Sequence, residues 1–152
     1  MKILKSWLND WIDIETITTD DISEALESLG FEIESRKDKT PNFKNITVGK
    51  VLEIYEHPNA DKVRVTKVDV GSKTYEIVCG AWNFDVGAVV PVALPKSEIK
   101  DGFKIDKRDI RGVESNGMIC SASELDLWDD HAGILKLSDE TKLGSDFSKI
   151  YN

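Results

Sequence analysis

Apolar positions divide the chain into two textures. Leu4, Trp7, Leu8 and Trp11 recur at i, i+3, i+4 and i+7, the spacing of an apolar helical stripe. A second helix follows, with Ile22, Ala25, Leu26 and Leu29 as its apolar face. Thr18 or Thr19 can cap it, and Asp20 and Asp21 place negative charge at its positive end. Gly30 stands where a left-handed residue ends a helix. Phe31 and Ile33 then alternate with Glu32 and Glu34, which predicts a short strand. Residues 36–42 are polar, contain Pro41, and read as a linker.

Beyond residue 44 the pattern turns to short strands. Residues 47–55, 63–70 and 75–79 are candidates, the last two joined by a Gly71-Ser72 turn. In 63–70 the apolar phase flips near Lys67, which predicts a bulge or strong coil. Residues 88–94 are nearly all apolar and predict a buried strand, and 103–105, 117–121 and 134–137 are shorter pieces. Residues 123–127 suit the start of a short helix. The expected fold is mainly β: a small closed barrel over 41–152, preceded by an α+β segment over 1–40.

Composition narrows the function classes. In 152 residues, 20 Lys and Arg face 28 Asp and Glu, a net charge of −8. Residues 1–41 hold 5 basic and 10 acidic residues; residues 42–152 hold 15 and 18. Such a balance does not advertise nucleic-acid binding. Six basic residues against four acidic ones lie in 44–73, and again in 96–111, so one face of the barrel can still be basic. No stretch approaches the ~18 apolar residues of a membrane span. Asn9, Asp10 and Asp13 interrupt the N-terminal apolar run, so no signal peptide is read there. Two cysteines without a CxxC motif favour neither a disulfide framework nor a zinc site, and point to a reducing cytoplasm.

Three strings carry the chemistry. HPNADKV at 57–63 ends a strand at Pro58, makes a turn with Asn59 and Asp61, and projects Lys62 and Arg64 beyond it. IVCGAWNF at 77–84 runs a strand into a loop that offers Trp82 and Asn83. RGVESNGMICSASELDL at 111–127 supplies Gly112 and Gly117 for tight backbone, and Ser115, Asn116 and Ser121 as neutral hydrogen-bonding groups.

In this order the three strings resemble the tRNA-binding OB-fold domain shared by several translation proteins. That domain occurs in free-standing tRNA-binding proteins, in some methionine–tRNA ligases, and in bacterial phenylalanine–tRNA ligase beta subunits. The opening, with its SWL and SLGFEIE segments, resembles the start of the beta subunit. Beta subunits of that kind are far longer. The resemblance therefore implies an excised piece whose first 40 residues form half of a discontinuous small domain. It leads us to expect Trp7, Leu8, Trp11, Ile22, Leu26 and Leu29 as an unusually exposed apolar surface or an intermolecular contact.

The resemblance implies tRNA, the synthetase alpha subunit and the remaining beta subunit as partners, with neither DNA nor membrane. It places phenylalanine attachment, with ATP and magnesium, in the whole enzyme, and makes this segment non-catalytic and free of cofactors. The candidate RNA-binding residues, placed by motif and charge, are His57, Asn59, Lys62, Arg64, Asn83, Arg108, Arg111, Ser115, Asn116 and Ser121. For His57, which sits before a proline in a turn, a structural hydrogen bond is favoured over catalysis. Trp82 departs from the family, where proline is usual. It either closes one end of the barrel, which we favour at this point, or stacks on a base. Cys79 and Cys120 read as small core residues, Ser121 has no base to make it a nucleophile, and adjacent Asp129, Asp130 and His131 do not converge on one ion. Two other readings stand: a structural or interaction module without RNA affinity, and a free-standing dimeric tRNA-binding protein.

Overall fold

A computed structural model describes residues 2–37 and 43–150. The chain divides into two compact units, residues 1–39 and 40–152.

In the first unit, α1 is Lys5–Asn9 and α2 is Thr19–Ser28. The Thr18 hydroxyl accepts from the Asp21 amide, and the Asp21 carboxylate accepts from the Thr18 amide, a capping box that starts α2. Gly30 follows the helix at φ 88°, as its position predicts. Two expectations fail here. Trp11 lies beyond α1, because the stripe outlasts a helix of only five residues. Residues 31–34 form no strand, and no strand among the described residues pairs with them. Arg36 pairs with Asp20 instead of acting as free linker, and the rest of the expected linker, 38–42, lies outside the described residues. Trp7, Trp11 and Leu29 are exposed, Trp11 by 87%, whereas Leu8, Ile22 and Leu26 are half-buried.

The second unit is a β-barrel. β1 is Lys44–His57, β2 is Ala60–Asp69, β3 is Thr74–Cys79 and β4 is Val89–Ile99. Three short strands follow, β5 Phe103–Ile105, β6 Arg108–Ile110 and β7 Val113–Ser115, and then β8 Met118–Ile119. The antiparallel sheet runs β3-β2-β1-β4-β5, with β8 also paired to β4. The end of β7 and the residue after it reach the far edge: the Val78 amide donates to Ser115 Oγ at 3.0 Å, and the Asn116 amide donates to Glu76 O at 2.8 Å. These bonds close the sheet on itself and satisfy the β3 edge.

Alternation along the strands sends Val51, Val68, Ile77, Val90, Val92 and Ile119 inward, joined by Phe84 and Ile134. A second cluster gathers Ile46, Val48, Ala93, Cys120 and Leu125 around Phe147. The bulge expected near Lys67 sits on the partner strand. Val51 pairs with Val68 and Glu53 with Lys67, so Leu52 is the extra residue. Residues 134–137 and 123–127 form neither the expected strand nor a helix. The former is held by Leu135 N to Cys120 O and Leu137 N to Val89 O, the latter by consecutive turns.

Across the outer surface of β1–β3, Lys67 pairs with Glu53 at 2.7 Å, and the Tyr55 hydroxyl donates to Glu76 at 2.5 Å. Partial burial first, and then this bond, push the Tyr55 phenol up to about 12. The protonated phenol is therefore favoured in the fold. That contribution is present below the ordinary value near 10 and lost as pH rises through about 12. A phenolate absorbance titration should show one tyrosine ionising near pH 12, missing from Tyr55→Phe; a Tyr55 transition near pH 10 contradicts the bond.

Candidate nucleic-acid interface

The three sequence strings meet at one end of the barrel, and most of their polar groups are bonded to each other. His57, only 5% exposed, ends β1. Its Nδ1 accepts from the Asn59 amide at 3.1 Å, which fixes the hydrogen on Nε2 and directs it to Ile110 O at 2.8 Å. The Asn59 side chain donates to Arg111 O at 2.9 Å, and the Arg111 guanidinium donates back to Asn59 O at 3.3 Å. The His-Pro-Asn turn is thereby latched to the turn between β6 and β7. That hairpin went unread in the sequence. Its two turn residues, Arg111 and Gly112, both have positive φ, 52° and 89°, as a two-residue turn matched to strand twist requires. Glycine meets this requirement freely; Arg111 holds it at a cost of about 1–3 kcal/mol.

A second cluster forms around Arg64, which β2 places opposite Cys79 on β3. Its Nη2 donates to Ala81 O at 3.0 Å and Phe84 O at 3.2 Å. Its guanidinium carbon lies 4.7 Å from the ring centres of both Trp82 and Phe84. Phe84 is buried, but Trp82 is 60% exposed, so the favoured expectation that Trp82 closes the barrel is corrected. Phe84 fills that place, and the indole stays outside against Arg64.

The remaining candidates scatter. The Asn83 amide exchanges two bonds with the Ile134 backbone, each 3.0 Å, and so stitches the 80–84 loop to the 134–137 segment. Ser115 is buried; besides accepting from Val78, its hydroxyl donates to Gly117 O at 3.1 Å. Ser121 and Glu124 exchange side-chain-to-backbone bonds of 3.1 and 2.7 Å, the reciprocal pattern that starts a helical turn. Arg108 stands over the Phe103 ring at 5.1 Å. Lys62 is exposed; neither it nor the half-buried Asn116 side chain shows a polar partner among the described residues. Gly80 packs against Lys62 and Val63, bringing the Trp82 loop beside the start of β2. The structure thus joins His57, Asn59 and Arg111 in one latch, with Lys62 and Arg64 following on β2. Asn83, Ser115 and Ser121 serve as internal ties.

Neither cysteine is a nucleophile here. Both are buried, and burial pushes both thiols up, that of Cys120 the more strongly. His131 pairs with Asp129 at 2.8 Å in an exposed loop. No group of three or more His, Cys, Asp or Glu among the described residues is placed to hold a metal ion. No helix among them is long and apolar enough to cross a membrane.

Comparison with known proteins agrees with this architecture. The chain is 44% identical over 159 residues to the phenylalanine–tRNA ligase beta subunit of Burkholderia lata, covering 100% of this chain and 20% of that protein. It is 42% identical to the Sulfurimonas denitrificans subunit, covering 98% and 19%, and 37% identical to that of Syntrophus aciditrophicus, covering 99% and 18%. The chain thus spans about a fifth of the length of these curated relatives. Among solved structures, the C-terminal domain of Plasmodium vivax p43 superposes with a TM-score of 0.50 at 25% identity, covering 72% of this chain and 61% of that one. A MetRS related protein from Pyrococcus horikoshii, at 20% identity and TM-score 0.50, shares the fold over 68% of this chain and 87% of its own. Residues 46–146, from early β1 to just before Phe147, match the model of the putative tRNA binding domain. With the barrel, its latched turns and this match over more than half its length, the chain belongs to the putative tRNA-binding domain family.

Proposed function

We propose that this chain is the tRNA-binding module of a phenylalanine–tRNA ligase beta subunit, accessory in RNA binding and without chemistry of its own. The reading rests on one juxtaposition. The latched His-Pro-Asn turn, the β6–β7 turn and the Arg64-held loop share one end of the barrel, where Lys62, Arg111 and Trp82 are exposed. Two cations and an aromatic ring beside a barrel mouth suit the backbone and splayed bases of structured RNA. Arg108 extends the positive charge along the same hairpin. The partners on this reading are tRNA, the alpha subunit and the rest of the beta subunit, in the cytoplasm. Activation of phenylalanine with ATP and magnesium belongs, on this reading, to the whole enzyme.

A structural or interaction role is the competing reading. It is favoured by the net charge of −8 and by how many of the motif groups are spent on internal bonds. A free-standing dimeric protein is disfavoured, because the matching relatives extend over the N-terminal unit as well and are about five times longer. Alanine at Lys62 and at Arg108 separates the first two. RNA binding predicts weaker tRNA affinity for each variant and a salt slope smaller by about one per cation removed. Unchanged affinity and slope in both variants point to the structural role.

A further inference from the structure

We infer that the Trp82 indole is a stacking platform for one unpaired RNA base, held ready by Arg64. The inference rests on the RNA-binding reading above and names the contact that it makes. Arg64 is fixed from three sides: two carbonyls, Ala81 O and Phe84 O, accept from Nη2, and the buried Phe84 ring lies 4.7 Å from the guanidinium. Arg64 Nε is itself buried and has no hydrogen-bond partner among the described residues, so packing holds the group. The Trp82 ring centre also lies 4.7 Å from the guanidinium carbon, yet the residue remains 60% exposed. Arg64 therefore carries one buried ring and one exposed ring, and the exposed one is accessible to a flat partner.

Three features make that partner a base. A ring already immobilised by a cation loses little freedom on stacking, which favours binding. Lys62 is exposed at the start of β2, where Gly80 of the Trp82 loop packs against its backbone, and so offers an ammonium to the phosphate of a stacked nucleotide. Stacking tolerates any base, because every base has a π face, so the contact adds affinity without reading sequence.

The test uses the full chain with labelled tRNA, comparing wild type, Trp82→Phe and Trp82→Ala. Trp82→Ala should bind about fivefold or more weakly, with its salt slope unchanged because no phosphate contact is lost. Intrinsic tryptophan fluorescence of the wild type should fall on adding tRNA. That fall should be missing in Trp82→Phe, whose smaller ring keeps the loop packed and part of the affinity. Wild-type affinity in Trp82→Ala, with the same quenching in Trp82→Phe, overturns the stacking contact and leaves RNA binding standing. Failure of the wild type to bind tRNA at all removes both. Loss of affinity accompanied by a reduced salt slope also counts against stacking, because it reports a lost phosphate contact.

Discussion

Gly117→Ala should lower the stability of the barrel by about 3–5 kcal/mol, a large part of the roughly 5–15 kcal/mol that holds a domain of this size. Gly117 has φ 130°, where a side chain is strained, at about 1–3 kcal/mol. A Cβ there would sit 2.6 Å from Ala93 O on β4. That atom is backbone within the central sheet, so it cannot swing aside, and relief requires separating β8 from β4. The same turn carries Gly117 O, which accepts from Ser115, and Asn116 N, which donates to Glu76. One methyl group therefore strikes at barrel closure. Urea unfolding checks this: the midpoint should drop sharply, and a change under about 1 kcal/mol would show that the strand junction is looser than described.

His57→Ala has the second large effect, about 3–4 kcal/mol, by a different route. The imidazole is buried and bridges two elements. Its removal leaves the Asn59 amide and Ile110 O without their partner, each at about 1–3 kcal/mol when water cannot reach them, and it leaves a cavity as well. The damage should be local before it is global. Amide hydrogen exchange should quicken at 58–62 and 109–114, while the paired centre of β1 and β4 keeps its protection. tRNA affinity should fall in step, since the latch positions Arg111. Equal protection in wild type and variant at 58–62 would show that the bridge does not hold the turn. The motif histidine ties two turns together, the structural hydrogen bond expected for it in preference to catalysis from its place beside Pro58.

The strands were legible where alternation is strict or the run wholly apolar. β2, β3 and β4 fall within a few residues of their expected places because a barrel interior demands that pattern. The β6–β7 hairpin was not legible. Arg108–Ile110 and Val113–Ser115 are three residues each, polar on most positions, and their turn uses arginine where asparagine or glycine usually signals it. The residues 31–34 erred the other way: alternation is present, but a strand needs a neighbour. For the candidate site, sequence motifs named residues that the fold gathers largely at one end of the barrel, but did not show the bonds that those residues make within it. Asn59, Asn83, Ser115 and Ser121, expected as neutral contacts to RNA, each make bonds within the fold that spacing alone does not reveal. Strings that mark a family over this fold mark, in large part, how its loops are tied together. Trp82 carried no such signal, because exposure of a loop tryptophan depends on the partner packed beneath it, here Arg64.

The central claim is that this end of the barrel holds RNA despite a net charge of −8. Fluorescence anisotropy of labelled tRNA with the full chain, at two salt concentrations, tests it most directly. The account predicts saturable binding that weakens as salt rises, because cations such as Lys62 and Arg111 displace counterions from phosphates. No binding even at low salt would contradict it and make the barrel a structural element.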